Sequence, residues 1–124
     1  MVFTIDFNSN EAIYMQLCNQ IILGIANAEY RDGDSLPSVR QMAEIIGINM
    51  HTVNKAYSVL RQEGYIKLDR RHGAVISLDT DRILALEAMN EELKVVIAKA
   101  ISKNITPEEI HAIVDEIIAR FTEG

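Results

Sequence analysis

Tryptophan is absent from this 124-residue chain, and aromatic residues make up only 6% of it. A core without large rings must come from Ile, Leu, Val, Ala and Met, which suits helices packed on helices. Cysteine occurs once, so no internal disulfide can form. Cys18 lies in an apolar helical pattern, the setting of a buried, inert thiol rather than a redox or catalytic one. No apolar run approaches the ~20 residues of a membrane span. The N-terminal MVFTIDFNSNEAIY has neither the basic nor the apolar region of a secretory signal, so a cytoplasmic protein is the expectation. Catalytic equipment is missing as well. His51, His72 and His111 do not stand at metal-ligand spacing, there is no cysteine pair, and no glycine loop for phosphate appears. An enzyme is therefore not expected, and neither is a metal or other cofactor.

What is present is enough apolar residue, 48% of the chain, for one ordinary domain or a small domain with an appendage. Net charge is −6, which argues superficially against nucleic acid. Its distribution argues the other way. Residues 36–78 carry six bases (Arg40, Lys55, Arg61, Lys67, Arg70, Arg71) against three acids (Glu44, Glu63, Asp69), a local balance of +3. Residues 1–35 and 79–124 carry the acidic excess. Phosphate responds to the local field more than to the total.

Along the chain, residues 1–10 suggest at best one weak strand through Val2, Phe3, Ile5 and Phe7, followed by Asn8, Ser9 and Asn10 as candidate helix caps. A first helix is expected over about 11–29, with Tyr14, Leu17, Cys18, Ile21, Ile25 and Ala28 as its buried stripe. Gly24 inside it is either a close helix approach or a tolerated surface glycine. Residues 31–34 form a turn. Ser38 with Gln41 has the form of a capping box, opening a second helix whose apolar face is Val39, Met42, Ala43 and Ile46; Gly47 suits the left-handed stop after it. Asn49 can cap a third helix over about 50–63, with Val53, Ala56, Tyr57 and Leu60 inward. Residues 65–68 and 74–77 read as two strands, with the loop DRRHG at 69–73 between them. Asp79 and Thr80 can cap a fourth helix over about 81–103. Thr106-Pro107-Glu108-Glu109 is a strong start for a fifth, with Ile110, Ile113, Val114, Ile117, Ile118 and Phe121 on one stripe. The expected fold is mainly α with a small β-wing: a winged helix-turn-helix over 1–78, then a two-helix dimerisation hairpin over 79–124.

Two short helices joined by about three residues around a glycine is helix-turn-helix spacing. A major groove admits one α-helix, which must be held rigidly from behind and left polar in front. The third helix divides that way, leaving His51, Thr52, Asn54, Lys55 and Ser58 outward. Thr52 and Asn54 can bond base edges or phosphates, Lys55 suits a phosphate, and His51 could serve either purpose or stay solvated. Each alone is more often plain surface; together, at the start of that helix, they favour contact. Ser38 is a cap whatever else it does, while Arg40 beside the helix start favours a phosphate. Arg70, Arg71 and His72 at the wing tip could enter the minor groove or clamp its phosphates.

LPSVRQMAEIIGINMHTVNKAYSVLRQEGYI followed by HGAVIS resembles the DNA-binding domain of GntR-family bacterial transcription regulators. The matching elements, in order over about 11–77, are the LPS-x-R turn, the TV-x-x-AY-x-x-L helix, the EG stop and the wing, with Ile76 where relatives have Val. The short lead-in and small tail are similar to the YtrA-type subgroup, which lacks a large effector domain. The resemblance implies DNA contacts by Ser38, Arg40, His51, Thr52, Asn54, His72 and Gly73. Two departures from the family matter: Met50 stands where many relatives have Pro or Arg, so an Arg contact there is absent, and Asn54 stands where many have Arg, which should shift base preference.

The expected function is a homodimeric repressor reading a palindromic operator on double-stranded DNA. The apolar stripes of the tail supply the reason for two copies, with the interface drawn from Leu93, Ile97, Ile110, Ile113, Val114, Ile117, Ile118 and Phe121. Two tail helices leave little room within one subunit for a cavity of ~300 Å³, so a small-molecule effector would have to bind between subunits or between tail and DNA-binding domain. The alternative is a winged-helix protein-interaction module without DNA binding, which the overall acidity motivates.

Overall fold

The computed structural model describes residues 3–78 and 81–122. The order of elements is α1 (Ile13–Ala26), α2 (Val39–Ile46), α3 (Met50–Gln62), β1 (Ile66–Asp69), β2 (Gly73–Ile76), α4 (Arg82–Ser102) and α5 (Pro107–Thr122). The chain divides into two compact units, Met1–Asp79 and Thr80–Gly124. The architecture is mostly helical with one small antiparallel wing, as the sequence pattern predicts.

In the first unit, α3 packs on α1, on α2 and on β1. Leu17, Cys18 and Ile21 of α1 meet Met42 and Ala43 of α2, Val53, Ala56, Tyr57 and Leu60 of α3, and Ile66, Ala74 and Ile76 of the wing. Each of the large aliphatic side chains buried there contributes about 1.5–3 kcal/mol relative to exposure. The capping box is complete: Ser38 Oγ accepts from Gln41 N–H and Gln41 Oε1 accepts from Ser38 N–H. Gly47 closes α2 at φ +78, where an L side chain would be strained. Asn49 caps α3 by accepting from His51 N–H at 2.7 Å.

Several local expectations need correction. The helix expected over 11–29 is only Ile13–Ala26, and its cap position is Ala12, with no side-chain cap. Asn8, Ser9 and Asn10 do not cap it; Ser9 Oγ accepts from Glu11 N–H within a turn of its own. Ala28, expected in the buried stripe, is exposed beyond the helix at φ +61, where Glu29 and Tyr30 N–H both bond back to the Gly24 carbonyl. That is a glycine-type helix stop executed by alanine. Gly24 itself is buried, so it is not a surface glycine.

The lead-in is no strand. Gln16, buried in α1, donates to the Asp6 and Glu11 carbonyls and accepts from Asp6 N–H, while Gln20 pairs in the same way with Thr4. The glutamine amides take the place of a neighbouring strand for Thr4 and Asp6. Val2 lies outside the described residues.

The strands fall one residue from their expected ends. Asp69 pairs with Gly73, so the loop is Arg70, Arg71 and His72 alone, with Gly73 at φ +71. The turn expected at 31–34 runs into a further edge of the sheet: Gly33 N–H bonds the Ile76 carbonyl, Ile76 N–H the Asp34 carbonyl, and Leu36 N–H the Ala74 carbonyl, each at 2.8 Å. This third edge covers β2, which explains why Ala74, Val75 and Ile76 are all buried instead of alternating.

In the second unit, Asp81 is the cap of α4 and accepts from Leu84 N–H; the expected caps Asp79 and Thr80 lie outside the described residues. Thr106 and Glu109 bond reciprocally at the start of α5. Neither helix buries a single residue, and the two do not pack along their lengths. An open hollow of about 580 Å³ lies against α4, lined by Leu86, Met89, Leu93, Ile97 and Ile101 among others.

Candidate nucleic-acid interface

The rear of α3 is locked. Val53, Ala56 and Leu60 are fully buried, and the Tyr57 hydroxyl donates to the Pro37 carbonyl at 2.7 Å. That bond ties the recognition-type helix to the residue just before the α2 cap, fixing Ser38 and Arg40 relative to α3. Burial, with a smaller contribution from the Tyr30 phenol, pushes the Tyr57 phenol well above its ordinary value, so it stays a neutral donor. Behind it, the Cys18 thiol donates to the Ala56 carbonyl at 3.4 Å. Desolvation, then the charge of Glu63, push that thiol up to about 11, and it acts as a packed, unreactive group.

The front of α3 is open. His51, Asn54, Lys55 and Ser58 are exposed, and Thr52 is half-buried at the flank. Among the described residues, the side chains of His51, Thr52 and Asn54 have no hydrogen-bond partner, which leaves their donors and acceptors available. Lys55 differs: its ammonium sits 4.2 Å from the centre of the Tyr14 ring on α1. Spacing alone predicts Tyr14 in the buried stripe of α1. It is half-buried, and its exposed ring face is in use. The signal that could have found it is only its place one residue into α1, opposite the start of α3.

Ser38 and Arg40 are exposed at the start of α2. Ser38 Oγ accepts from Gln41 N–H, which leaves its hydroxyl hydrogen free to donate. Arg40 makes no ion pair among the described residues. At the wing tip, Asp69 organises the loop. Its carboxylate accepts from Arg71 N–H at 2.7 Å and His72 N–H at 3.3 Å, and lies 3.4 Å from His72 Nδ1. The Arg71 amide, then the His72 side chain, hold that carboxyl below its ordinary value. The side chains of Arg70 and Arg71 are exposed and unpaired among the described residues. Gly73 is exposed and supplies the left-handed return of the hairpin.

Two exposed apolar residues, Ile45 and Met50, flank the turn between α2 and α3. In the other unit, Ile113, Val114, Ile117 and Ile118 of α5 are 43–54% exposed, Leu93, Ile110 and Phe121 are half-buried, and Ile97 is 36% exposed. No helix among the described residues is long and apolar enough to cross a membrane, and no cluster there could hold a metal ion.

Residues 10–76 match the family model of bacterial regulatory proteins, gntR family. The chain is 36% identical to the HTH-type transcriptional repressor YtrA of Bacillus subtilis (strain 168), over 97% of this chain and 95% of that one. Among solved structures, it superposes on a protein described as a transcriptional antiterminator from Listeria monocytogenes EGD-e with a TM-score of 0.89, at 29% identity, covering all of this chain and 95% of the other. YtrA from Sulfolobus acidocaldarius, a GntR-family transcription factor, gives a TM-score of 0.67 at 37% identity, covering 82% of this chain and 99% of that one.

Proposed function

The chain belongs to the gntR family of bacterial regulatory proteins, a family of DNA-binding transcription regulators and not of enzymes; from that premise we propose that it is a homodimeric repressor of a palindromic operator. In this reading residues 1–78 read DNA and residues 79–124 hold two copies together, in the cytoplasm beside the genome. The front of α3 enters the major groove. His51, Thr52 and Asn54 face bases and the adjoining backbone, and an Asn in such a position favours adenine when bidentate. Ser38 and Arg40 take a phosphate at the start of α2. Arg70, Arg71, His72 and Gly73 lie along the minor groove or its phosphates.

One observation carries the reading. A helix held rigidly from behind presents unengaged polar side chains in front, flanked by arginines that no protein carboxylate neutralises among the described residues. Arginines serving only surface solubility need no such arrangement around one helix. Dimerisation is supported separately by the bare apolar stripe of α5, because Ile113, Val114, Ile117 and Ile118 lie exposed on one face. Two copies would set their recognition helices about 34 Å apart, one helical turn of DNA.

Selection from random DNA should return a palindrome with half-sites one turn apart, bound less tightly as salt rises. Asn54→Ala should change preference at one base pair per half-site by about 1–3 kcal/mol. Unchanged selectivity would show that the reading head lies elsewhere. A chain that shifts no duplex at low salt would instead be the protein-interaction module that net acidity suggests.

A further inference from the structure

A helix of ~10–12 Å diameter in a groove ~12 Å wide has its front at the bases and its flanks against the two sugar-phosphate walls. The front of α3 carries His51, Asn54 and Ser58. Thr52 and Lys55 lie to one side, on the flank beside the start of α1. There the surface dips into a hollow of about 400 Å³ lined by Ile13, Tyr14, His51, Thr52 and Lys55. Its polar groups are an ammonium, an imidazole, an aliphatic hydroxyl and a phenol, with no carboxylate among them. The Lys55 ammonium is held 4.2 Å above the Tyr14 ring, on the wall of this hollow. Ala12 makes no side-chain cap at the start of α1, and no acid lies in its first turn.

We propose that this hollow seats one backbone phosphate of the DNA, and that Tyr14 is a positioning residue whose ring holds Lys55 for it. A free lysine has four rotatable bonds to order before it meets a phosphate. An ammonium already resting on a ring face loses less freedom on binding, and the phosphate approaches it from the open side. Thr52, half-buried at the edge, is the neutral donor available to the same anion. This rests on the DNA-binding reading above, and it adds a contact from α1, outside the helix-turn-helix and the wing.

The contact is sequence-independent, so it can be read on a random-sequence duplex long enough for two half-sites. Wild-type binding should weaken with salt; a wild type without salt-dependent binding would overturn the DNA-binding reading itself, before any variant is made. Given that binding, Lys55→Gln should lower the salt slope by about 0.9, the loss of one phosphate contact. Tyr14→Leu should weaken binding about two- to fivefold when Lys55 is present, and should add nothing to Lys55→Gln. Tyr14→Phe keeps the ring and should stay within about twofold of wild type. Thermal unfolding of each variant tells a folding defect from a binding one, and Tyr14→Phe keeps the test usable where Tyr14→Leu unfolds. Equal losses from Tyr14→Leu with and without Lys55 would make Tyr14 a packing residue only, and a Phe variant as weak as the Leu variant would assign the effect to the hydroxyl. Either result overturns the positioning role; an unchanged salt slope in Lys55→Gln overturns the phosphate seat.

Discussion

Ser38 and Arg40 stand two residues apart at the start of α2, and their chemistry separates cleanly. Ser38 is bonded into the fold: its hydroxyl accepts from Gln41 N–H at 3.1 Å and its own amide donates to Gln41 Oε1 at 3.0 Å. Ser38→Ala removes the first of these bonds and should cost about 1 kcal/mol. For a domain of this size that lowers the melting temperature by about 4–8 °C. Its loss as a phosphate donor removes no charge, so affinity for DNA falls without a change in salt slope. The Arg40 side chain is exposed and has no partner among the described residues. Arg40→Gln should leave stability within ~0.5 kcal/mol. It should lower the salt slope by about 0.9, so its affinity deficit relative to wild type grows about 3.5-fold on going from ~200 to ~50 mM salt. Calorimetry and a fluorescence-anisotropy salt series on one duplex measure both quantities for both variants. A slope unchanged in Arg40→Gln refutes the phosphate role. A slope lowered by Ser38→Ala would mean that the cap also positions a charge, so that the roles of Ser38 and Arg40 are not separable.

Ile117→Glu places a charge in the middle of the α5 stripe, where the side chain is 45% exposed in the single chain. It should convert dimer to monomer by sedimentation at micromolar concentration, while circular dichroism keeps its helical signal; a variant that sediments like wild type sinks the tail as the interface. Ala28 sits at φ +61 in the stop after α1, a conformation that costs an L-residue about 1 kcal/mol. Ala28→Gly should therefore raise stability or leave it unchanged, the gain being offset by backbone entropy, and a clear loss in denaturant midpoint would contradict the stop described here. The Asp69 carboxyl is held below its ordinary value by the Arg71 amide and His72. A depressed folded pKa means that its contribution is complete above the unfolded value of 3.8 and fades as pH falls through the lower folded value. The Arg71 and His72 amide resonances should shift together only below about pH 4, and Asp69→Asn should abolish that shift; the same amide transition in the Asn variant would assign it to another group.

What was legible in the sequence was whatever is settled by neighbours. The Ser38–Gln41 and Thr106–Glu109 boxes, the Gly47 stop and the Asn49 cap each close a bond within four residues, so spacing alone reveals them. The inward stripe of α3 follows from period alone, and Val53, Ala56, Tyr57 and Leu60 are buried as that period requires. What was illegible crosses the chain. The edge at residues 33–36 bonds along β2 through a single bridge at Ser35, and only because β2, some forty residues later, offers it partners. The lead-in is extended because two glutamines from α1 satisfy it, and nothing in the composition of MVFTIDFNSN says so. Ala28 reads as helix by propensity, yet the bonds to Gly24 end the helix before it. Lys55 reads as a free phosphate ligand, and its ring contact with Tyr14, 41 positions earlier, is invisible to spacing.

The two units also differ in how their charge and apolar surface are arranged, and that difference sets which partner each can take. Around α3 the cations Arg40, Lys55, Arg70 and Arg71 have no carboxylate partner among the described residues, and apart from Ile45 and Met50 the apolar side chains there face inward, so the free energy available to a partner is mainly electrostatic and falls with salt. On α5 the arrangement is reversed. Glu108, Glu109, Asp115 and Glu116 occupy the polar face, Arg120 is bonded to Glu116 at 2.7 Å, and the opposite face offers aliphatic carbon. A phosphate backbone would be repelled by the first and gain nothing from the second. The face α5 offers to a partner is therefore apolar, and the second copy of the chain proposed above would present the same face by symmetry. The two associations should then respond to salt in opposite directions, since salt weakens contacts to phosphate and strengthens the burial of carbon. Raising salt should release DNA from a protein that stays dimeric, so that loss of operator binding and loss of the dimer occur at separate salt concentrations rather than together.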